Sequence, residues 1–486
     1  MLRLPALLVC AAVALPAASD FDKQIKSFVD AFAIVEANAA DPVASEQAFY
    51  TGAIPGLLRK LDPHSVFFDP GQFDQLKKME SSTQKGFGTV VSLVPGRVVV
   101  LQTLPGTPSA KSGLMPGDEI MAINNYVIGR LDLEQLTELL GESRQHPAQL
   151  DVMRPGAGRI MRLVLTPEEM QTSSVERTFF MGPGIGYLHV TSFDENTAKD
   201  IRAGIEKLGG EHLSGLVLDL RGNPGGVVAA ALDTASLFLE PGQTVFTIRG
   251  RNVPEKAEVV PQAAKPYQFK LVVLVNEKTA SASEIVSGAL QDHDRATIVG
   301  EVSYGKGLVQ SVYPLSGGAG LALTTALYYT PSGRSIQKPL DVKQFELGGA
   351  TAHPNAQSEF HTDKGRVVTG GGGIRPDVVV TPEPLTRLRI ALMASGSFTS
   401  FATEYLRAHK VDGDFEVTPS LVDEFVAYVA GRGIQPGPAE WSSQGEFLRN
   451  RIKTEIFNQA FGVERGDQVE LQRDWLVMKA LEILGA

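Results

Sequence analysis

Three short segments carry side chains that could perform covalent chemistry without a cofactor. The first is Thr279-Ala280-Ser281-Ala282-Ser283-Glu284, which follows the apolar run Leu271 to Val275. A serine at a strand-to-helix junction sits where free backbone N–H groups and the helix dipole can stabilise a developing oxyanion. The spacing Ser281-x-x-Glu284 is equally a capping box, a purely structural device contributing about 1 kcal/mol. The second segment places Lys306 between Gly305 and Gly307, at the start of a run in which Lys306, Leu308 and Gln310 share one strand face. Lys306 could serve as a general base if burial disfavours its ammonium form by about 4 kcal/mol, with Gln310 holding the neutral amine. A solvent-facing polar stripe on an edge strand would show the same spacing. The third segment, Asp219-Leu220-Arg221-Gly222-Asn223-Pro224-Gly225-Gly226, ends another apolar strand. Ligands gather at that edge of open α/β sheets, and consecutive glycines let backbone N–H groups reach a substrate oxygen. An ordinary strand-to-helix turn reads the same way.

Other chemistries find little support. The sequence contains no His-Glu-x-x-His, no Gly-x-Ser-x-Gly elbow and no dinucleotide glycine fingerprint, and its eight histidines do not pair at metal-ligand spacing. Gly300 to Gly307 imitates a phosphate loop until its last position, where Gly307 stands instead of Ser or Thr. The run after Lys306 reads as a strand, whereas a phosphate loop needs a helix N-terminus to meet the anion. No metal, nucleotide or other cofactor is expected.

Positioning these segments requires an α/β sheet. From about 170 to 385, apolar strands (Gly186 to Val190, Leu216 to Leu220, Leu271 to Val275) alternate with helices near 196–208, 226–238 and 281–292. Residues 339–373, polar and ending in four glycines, read as an inserted surface loop. Before this core, residues 84–167 have short alternating strands, glycine turns and one helix from Leu133 to Leu140, a small mixed domain. Residues 20–83 and 386–486 carry helical spacing. Thr418-Pro419 starts one helix with Leu421, Val422, Phe425, Val426 and Val429 on a single face. These helical regions are expected to pack or to dimerise.

The chain has 486 residues, enough for several domains and a substantial core. Its 45 Lys and Arg against 55 Asp and Glu leave a net charge of −10, which disfavours nucleic acid as a partner. Met1-Leu2-Arg3 followed by an apolar run from Leu4 to Ala18 and the small residues Ala17-Ala18-Ser19 reads as a signal peptide over residues 1–19. It is shorter than a membrane span. Export would take the protein to the periplasm, and cleavage would remove Cys10, the single cysteine, leaving no disulfide and no thiolate nucleophile.

Together these segments resemble the C-terminal processing peptidases, or tail-specific proteases. The likeness runs from Leu61-Asp62-Pro63-His64-Ser65, through Gly86-Phe87-Gly88 and Ser112 to Asp118, to Gly186-Tyr187-Leu188 with Phe193. It continues through the three segments above to Tyr329-Thr330-Pro331-Ser332-Gly333-Arg334-Ser335-Ile336. The resemblance implies a multidomain α/β protein: a crotonase-like α/β protease core with an inserted PDZ domain and helical N- and C-terminal regions. It further implies a Ser/Lys endopeptidase with Ser281 as nucleophile, Lys306 as base and Gln310 in support. The N–H of Ala282 and that of either Gly225 or Gly226 would form the oxyanion hole. Asp292 matches an aspartate with a structural role, an ion pair with Arg295 being the plain alternative. In the PDZ domain, Gly86, Phe87 and Gly88 would take the terminal carboxylate of an unfolded protein tail. An adaptor or activator protein and a homodimer through the helical regions are further expectations. The rival reading is a non-catalytic PDZ scaffold that binds tails beside a structural α/β domain.

Overall fold

The computed structural model describes residues 20–80, 83–94, 96–154, 159–171, 173–339, 359–381 and 385–485. The expected signal peptide, residues 1–19, lies outside the described residues, as does 340–358. Among the described residues no helix is long and apolar enough to cross a membrane.

The core begins with β1 (Val175–Gly182) and β2 (Ile185–Val190), an antiparallel pair. It continues through α1 (Thr197–Lys207), β3 (Gly215–Asp219), α2 (Val228–Ala235), β4 (Thr244–Arg249), β5 (Lys256–Val259) and β6 (Lys270–Val275). Next come α3 (Ala282–Asp292), β7 (Thr297–Gly300), β8 (Leu308–Pro314), β9 (Gly320–Tyr329) and β10 (Val378–Val379). A six-stranded sheet runs in the order β1, β2, β3, β6, β7, β10, parallel from β2 onward. Strands buried on both faces need continuous apolar runs, and β3 and most of β6 supply them. On one face Leu188, Leu218 and Val273 pack with Ile201 and Ile205 of α1, Ala231 of α2 and Ile285 of α3. The opposite face, with Val217, Val272 and Leu274, is covered by Leu476, Val477, Ala480 and Leu484 of the helix Trp475–Leu484. The end of the chain is therefore part of the core. The remaining C-terminal helices build their own cluster around Leu392, Phe398, Phe425, Ile452 and Ile456. Thr418 caps one of them, its side chain accepting from the Leu421 N–H.

A second sheet begins just after the lysine. β8 and β9 form a hairpin, and β9 also pairs with β4 and, from the N-terminal region, with the strand Val66–Phe68. Helical spacing over 20–83 does not reveal that strand, because three residues are too few to show a period of two. The N-terminal helix Asp20–Asn38 buries no residue and exposes Phe21, Ile25, Phe28, Val29 and Ile34.

The small domain is an antiparallel sheet of 89–94, 97–103, 119–123, 148–153 and 160–165, packed on the helix Leu133–Ser143 through Val98, Val100, Leu136, Leu150 and Val152. The ribbon of 83–86 with 168–171 joins it to the core.

Two expectations change. The segment 339–373 is not all loop: 359–361 and 367–369 pair as a hairpin, with Arg366 bonded to Asp294 at 2.5 Å and paired with Asp377. Asp292 does not meet Arg295. It bonds Arg334 at 2.7 Å with both side chains buried, whereas Arg295 donates to the carbonyls of Phe238, Tyr267 and Phe269. Helical spacing places Arg295 near Asp292, but the segment after β9 brings in a guanidinium that can also reach Gln291 Oε1. Removing either partner leaves a buried charge unpaired, so Arg334→Ala is expected to lower stability by about 3–5 kcal/mol, read by urea denaturation.

Candidate active site

β6 and β3 end side by side, which brings the serine segment against the glycine turn. Thr279, fully buried, donates its hydroxyl to the Leu220 carbonyl at 2.9 Å, and Ala280 N–H donates to the Asn223 carbonyl at 3.0 Å. Ser281 then precedes α3 with φ 55° and ψ −117°. A left-handed φ is costly for a non-glycine residue, about 1–3 kcal/mol, and an ordinary N-cap is extended. The Glu284 carboxylate accepts the Ser281 N–H at 2.9 Å, the returning arm of the capping box.

The lysine segment differs locally from the expectation. β8 starts at Leu308, not at Lys306, and its register shifts between Val309 and Gln310. Simple alternation therefore does not operate, yet Lys306 Nζ donates to Gln310 Oε1 at 2.8 Å. Gln310 Nε2 in turn donates to the His64 carbonyl at 2.5 Å. Burial pushes the Lys306 amine below the ordinary lysine range, while the carboxylates of Asp62 and Glu284 pull it back. Gly307 is required by space, since a Cβ there would lie 2.9 Å from Gln337 N.

Two residues bind these segments together, and sequence reasoning gave neither that role. Glu284 is fully buried, and its Oε2 accepts from both Ser281 N–H and Lys306 N–H, each at 2.9 Å. Its Oε1 accepts from Gly305 N–H at 2.7 Å and from the Ser303 hydroxyl at 2.5 Å. Burial raises its pKa and these four donors oppose the rise. Tyr328, on β9, places its hydroxyl within hydrogen-bond distance of the carbonyls of both Ser281, at 3.0 Å, and Lys306, which share its single proton. The Ser281 hydroxyl and the Lys306 amine are thus held on neighbouring backbones, although no hydrogen bond joins them. The only hint in the sequence was the Ser281-x-x-Glu284 spacing.

In the glycine turn the two candidate N–H groups differ in their surroundings. Gly225 packs so closely that a Cβ would lie 2.8 Å from Ala282 N and from Ser281 Cβ, but its N–H already donates to Asn223 Oδ1 at 2.9 Å. Among the described residues, the N–H groups of Gly226 and Ala282 have no such partner. Asp219 is occupied: it takes the Arg221 guanidinium at 2.6 Å and the Tyr187 hydroxyl at 2.7 Å.

In the small domain, Gly86 and Gly88 are buried and Phe87 is half-buried. The carbonyls of Phe87 and Gly88 are used by Ser109 and Leu104 N–H groups. Gly88 has φ +72° and a Cβ there would strike Thr107 at 2.4 Å, so only glycine fits. Strand 89–94 pairs with 97–103 on one edge and, among the described residues, with nothing on the other.

Comparison with known proteins identifies these parts. Residues 184–344 match the model of peptidase family S41, and residues 75–153 that of the PDZ domain. The carboxy-terminal-processing protease of Bartonella bacilliformis is 36% identical over 323 residues, spanning 65% of this chain and 73% of that protein. The chain belongs to the carboxy-terminal-processing protease family. A Synechocystis relative, a carboxyl-terminal-processing protease, is 34% identical over 61% of this chain and 70% of its own length. Among solved structures, a photosystem II D1 C-terminal processing protease is 28% identical and covers 76% of this chain and 88% of that chain, with a TM-score of 0.40. As a carboxy-terminal-processing protease, the protein is a serine-type peptidase with an S41 core and a PDZ domain, and the catalytic reading prevails over the tail-binding scaffold.

Proposed function

We propose that Ser281 is the nucleophile of this protease, Lys306 its general base and Gln310 the holder of the neutral amine. The observation that carries this reading is a lysine made less basic by burial, bonded to an amide and tied through Glu284 and Tyr328 to the backbone of a strained serine. With substrate engaged, the Ser281 hydroxyl proton passes to the lone pair of Lys306 Nζ as Oγ attacks the scissile carbonyl carbon. The oxyanion takes the N–H groups of Ala282 and Gly226, with Gly225 shaping the turn rather than donating. Collapse breaks the C–N bond, and the Lys306 ammonium gives its proton to the leaving amine. Water then attacks the ester, yielding a proton to Lys306; collapse breaks the bond from the acyl carbon to Ser281 Oγ as the Lys306 ammonium gives that proton to Oγ, which restores the hydroxyl and the neutral amine.

The PDZ domain supplies the substrate in this reading. An unfolded protein C-terminus adds to the open edge of strand 89–94, its carboxylate meeting the 86–88 loop. The finer architecture that goes with it is a crotonase-like core over 168–385, an inserted PDZ domain over 84–167 and helical regions over 20–83 and 386–486. Export through the 1–19 segment to the periplasm, self-association through the exposed apolar face of 20–38 and response to an adaptor or activator complete the proposal.

Two measurements test the site. A fluorophosphonate should label Ser281 and block cleavage of an unfolded substrate with an apolar tail; labelling elsewhere, or no cleavage by the wild type, removes the reading. The pH profile is the second. Burial favours the neutral amine, so Lys306 must lose its proton for activity, and it does so below the ordinary lysine value of 10.5. The expected result is a kcat/KM that rises with pH and levels off below that value; an acid limb at an unperturbed lysine pKa would contradict it.

A further inference from the structure

We infer that Asp62, far from the serine and lysine segments in the chain, is a positioning residue for the Lys306–Gln310 pair, acting through the backbone carbonyl of His64. The inference rests on the proposed role of Lys306 and extends the proton-transfer machinery into the N-terminal region.

Asp62 follows the helix Ile54–Leu61 and is 4% exposed. Its Oδ1 accepts from His64 N–H at 2.7 Å, Ser65 N–H at 2.8 Å and the Thr324 hydroxyl at 3.1 Å. Its Oδ2 accepts from the Ser65 hydroxyl at 2.7 Å, whose oxygen accepts from Thr324 N–H at 3.1 Å. An aspartate bonded to its own backbone two and three residues on closes a rigid turn. The bonds to Thr324 fasten that turn to β9, and the pairing of Val66 with Ala322 continues the attachment. The position of the His64 carbonyl is thereby set.

That carbonyl decides which way the Gln310 amide faces. A carbonyl oxygen only accepts, so Nε2 must point at His64 and Oε1 must point at Lys306. With the amide reversed, two acceptors, Gln310 Oε1 and the His64 carbonyl, would confront each other, and the amide N–H would occupy the lone pair of the neutral amine. Accepting one amine N–H fixes the rotation of the amine and so confines its lone pair to the two remaining tetrahedral directions. Orientation thus passes from Asp62 to the turn, to the His64 carbonyl, to Gln310 and to Nζ. The groups around the amine are Asp62 and His64 from the turn and Glu284 from α3, with Tyr328 from β9 on the Lys306 carbonyl. Of these the Asp62 carboxylate also favours the ammonium form, while burial and the lysine hold His64 below its usual range.

The test uses the full chain, an unfolded protein with an apolar C-terminus as substrate, and Asp62→Ala, Gln310→Ala and the double variant. Each single change is expected to lower kcat roughly 10- to 100-fold with little change in KM, as misplacement of a reacting group does. Because Asp62 acts through Gln310, the double variant should be no worse than the poorer single variant. Losses that multiply, or a wild-type kcat in Asp62→Ala, overturn the inference. Asp62→Asn preserves the shape of the turn and removes its charge, so its kcat/KM acid limb should move to lower pH. An unmoved limb counts against the inference, and this variant decides if Asp62→Ala does not fold. Lys306→Ala run alongside separates the two readings. If it remains active, the assignment of the base fails; if it is inactive while losses at 62 and 310 multiply, only the positioning role fails.

Discussion

Lys306→Ala is expected to lower kcat/KM on an apolar-tailed unfolded substrate by about four orders of magnitude or more, and Ser281→Ala by a comparable factor. Neither change touches the 86–88 loop or strand 89–94, so affinity for the tail should persist, measurable by fluorescence anisotropy with a tail peptide. The double variant should be no worse than either single one, since a nucleophile without its base and a base without its nucleophile are equally idle. Lys306→Arg should be as inactive as Lys306→Ala, because a guanidinium stays protonated and cannot accept the serine proton. Retention of about a tenth of wild-type activity in any of these would mean that another group transfers the proton.

Glu284 carries the second large effect, and it should appear in activity and stability together. Four donors converge on its two oxygens: Ser281 N–H and Lys306 N–H on one, Gly305 N–H and the Ser303 hydroxyl on the other. Glu284→Ala leaves buried donors without a partner and should cost about 3 kcal/mol or more in a denaturant titration. Glu284→Gln is the sharper experiment. Its shape is nearly the same, but whichever way the amide lies, an NH2 group faces N–H or O–H donors. The serine and lysine backbones must then separate, and a shift of about 1 Å costs roughly 100-fold in kcat. A Glu284→Gln enzyme with wild-type kcat would show that the serine and lysine segments hold their places without the carboxylate.

The comparison between Glu284 and Lys306 also shows where sequence reading stops. The apolar runs of β3 and β6, the glycine turn after β3 and the serine and lysine segments are all local patterns, with periods of two to four residues, and they can be read along the chain. Ser281-x-x-Glu284 was legible too, but only as a capping box, because sequence spacing shows the partner three residues away and not those at 303, 305 and 306. The strand Val66–Phe68 escaped for a similar reason, being defined by its pairing with β9 and not by its own three residues.

By itself, the order of residues determined which segments could hold a nucleophile and a base, together with most of the strands and helices that bear them, while the resemblance alone pointed to a segment for a peptide carboxylate. Only the tertiary structure gave the Gly225 N–H a partner in the Asn223 side chain, and paired Asp292 with Arg334 instead of its near neighbour Arg295. It alone brought His64 to Gln310 across 246 positions of sequence. The physical reason is common to all three. Propensity and periodicity arise from interactions within a turn or two of chain, whereas the choice of a hydrogen-bond partner is made by whatever donor or acceptor packing delivers to a buried site.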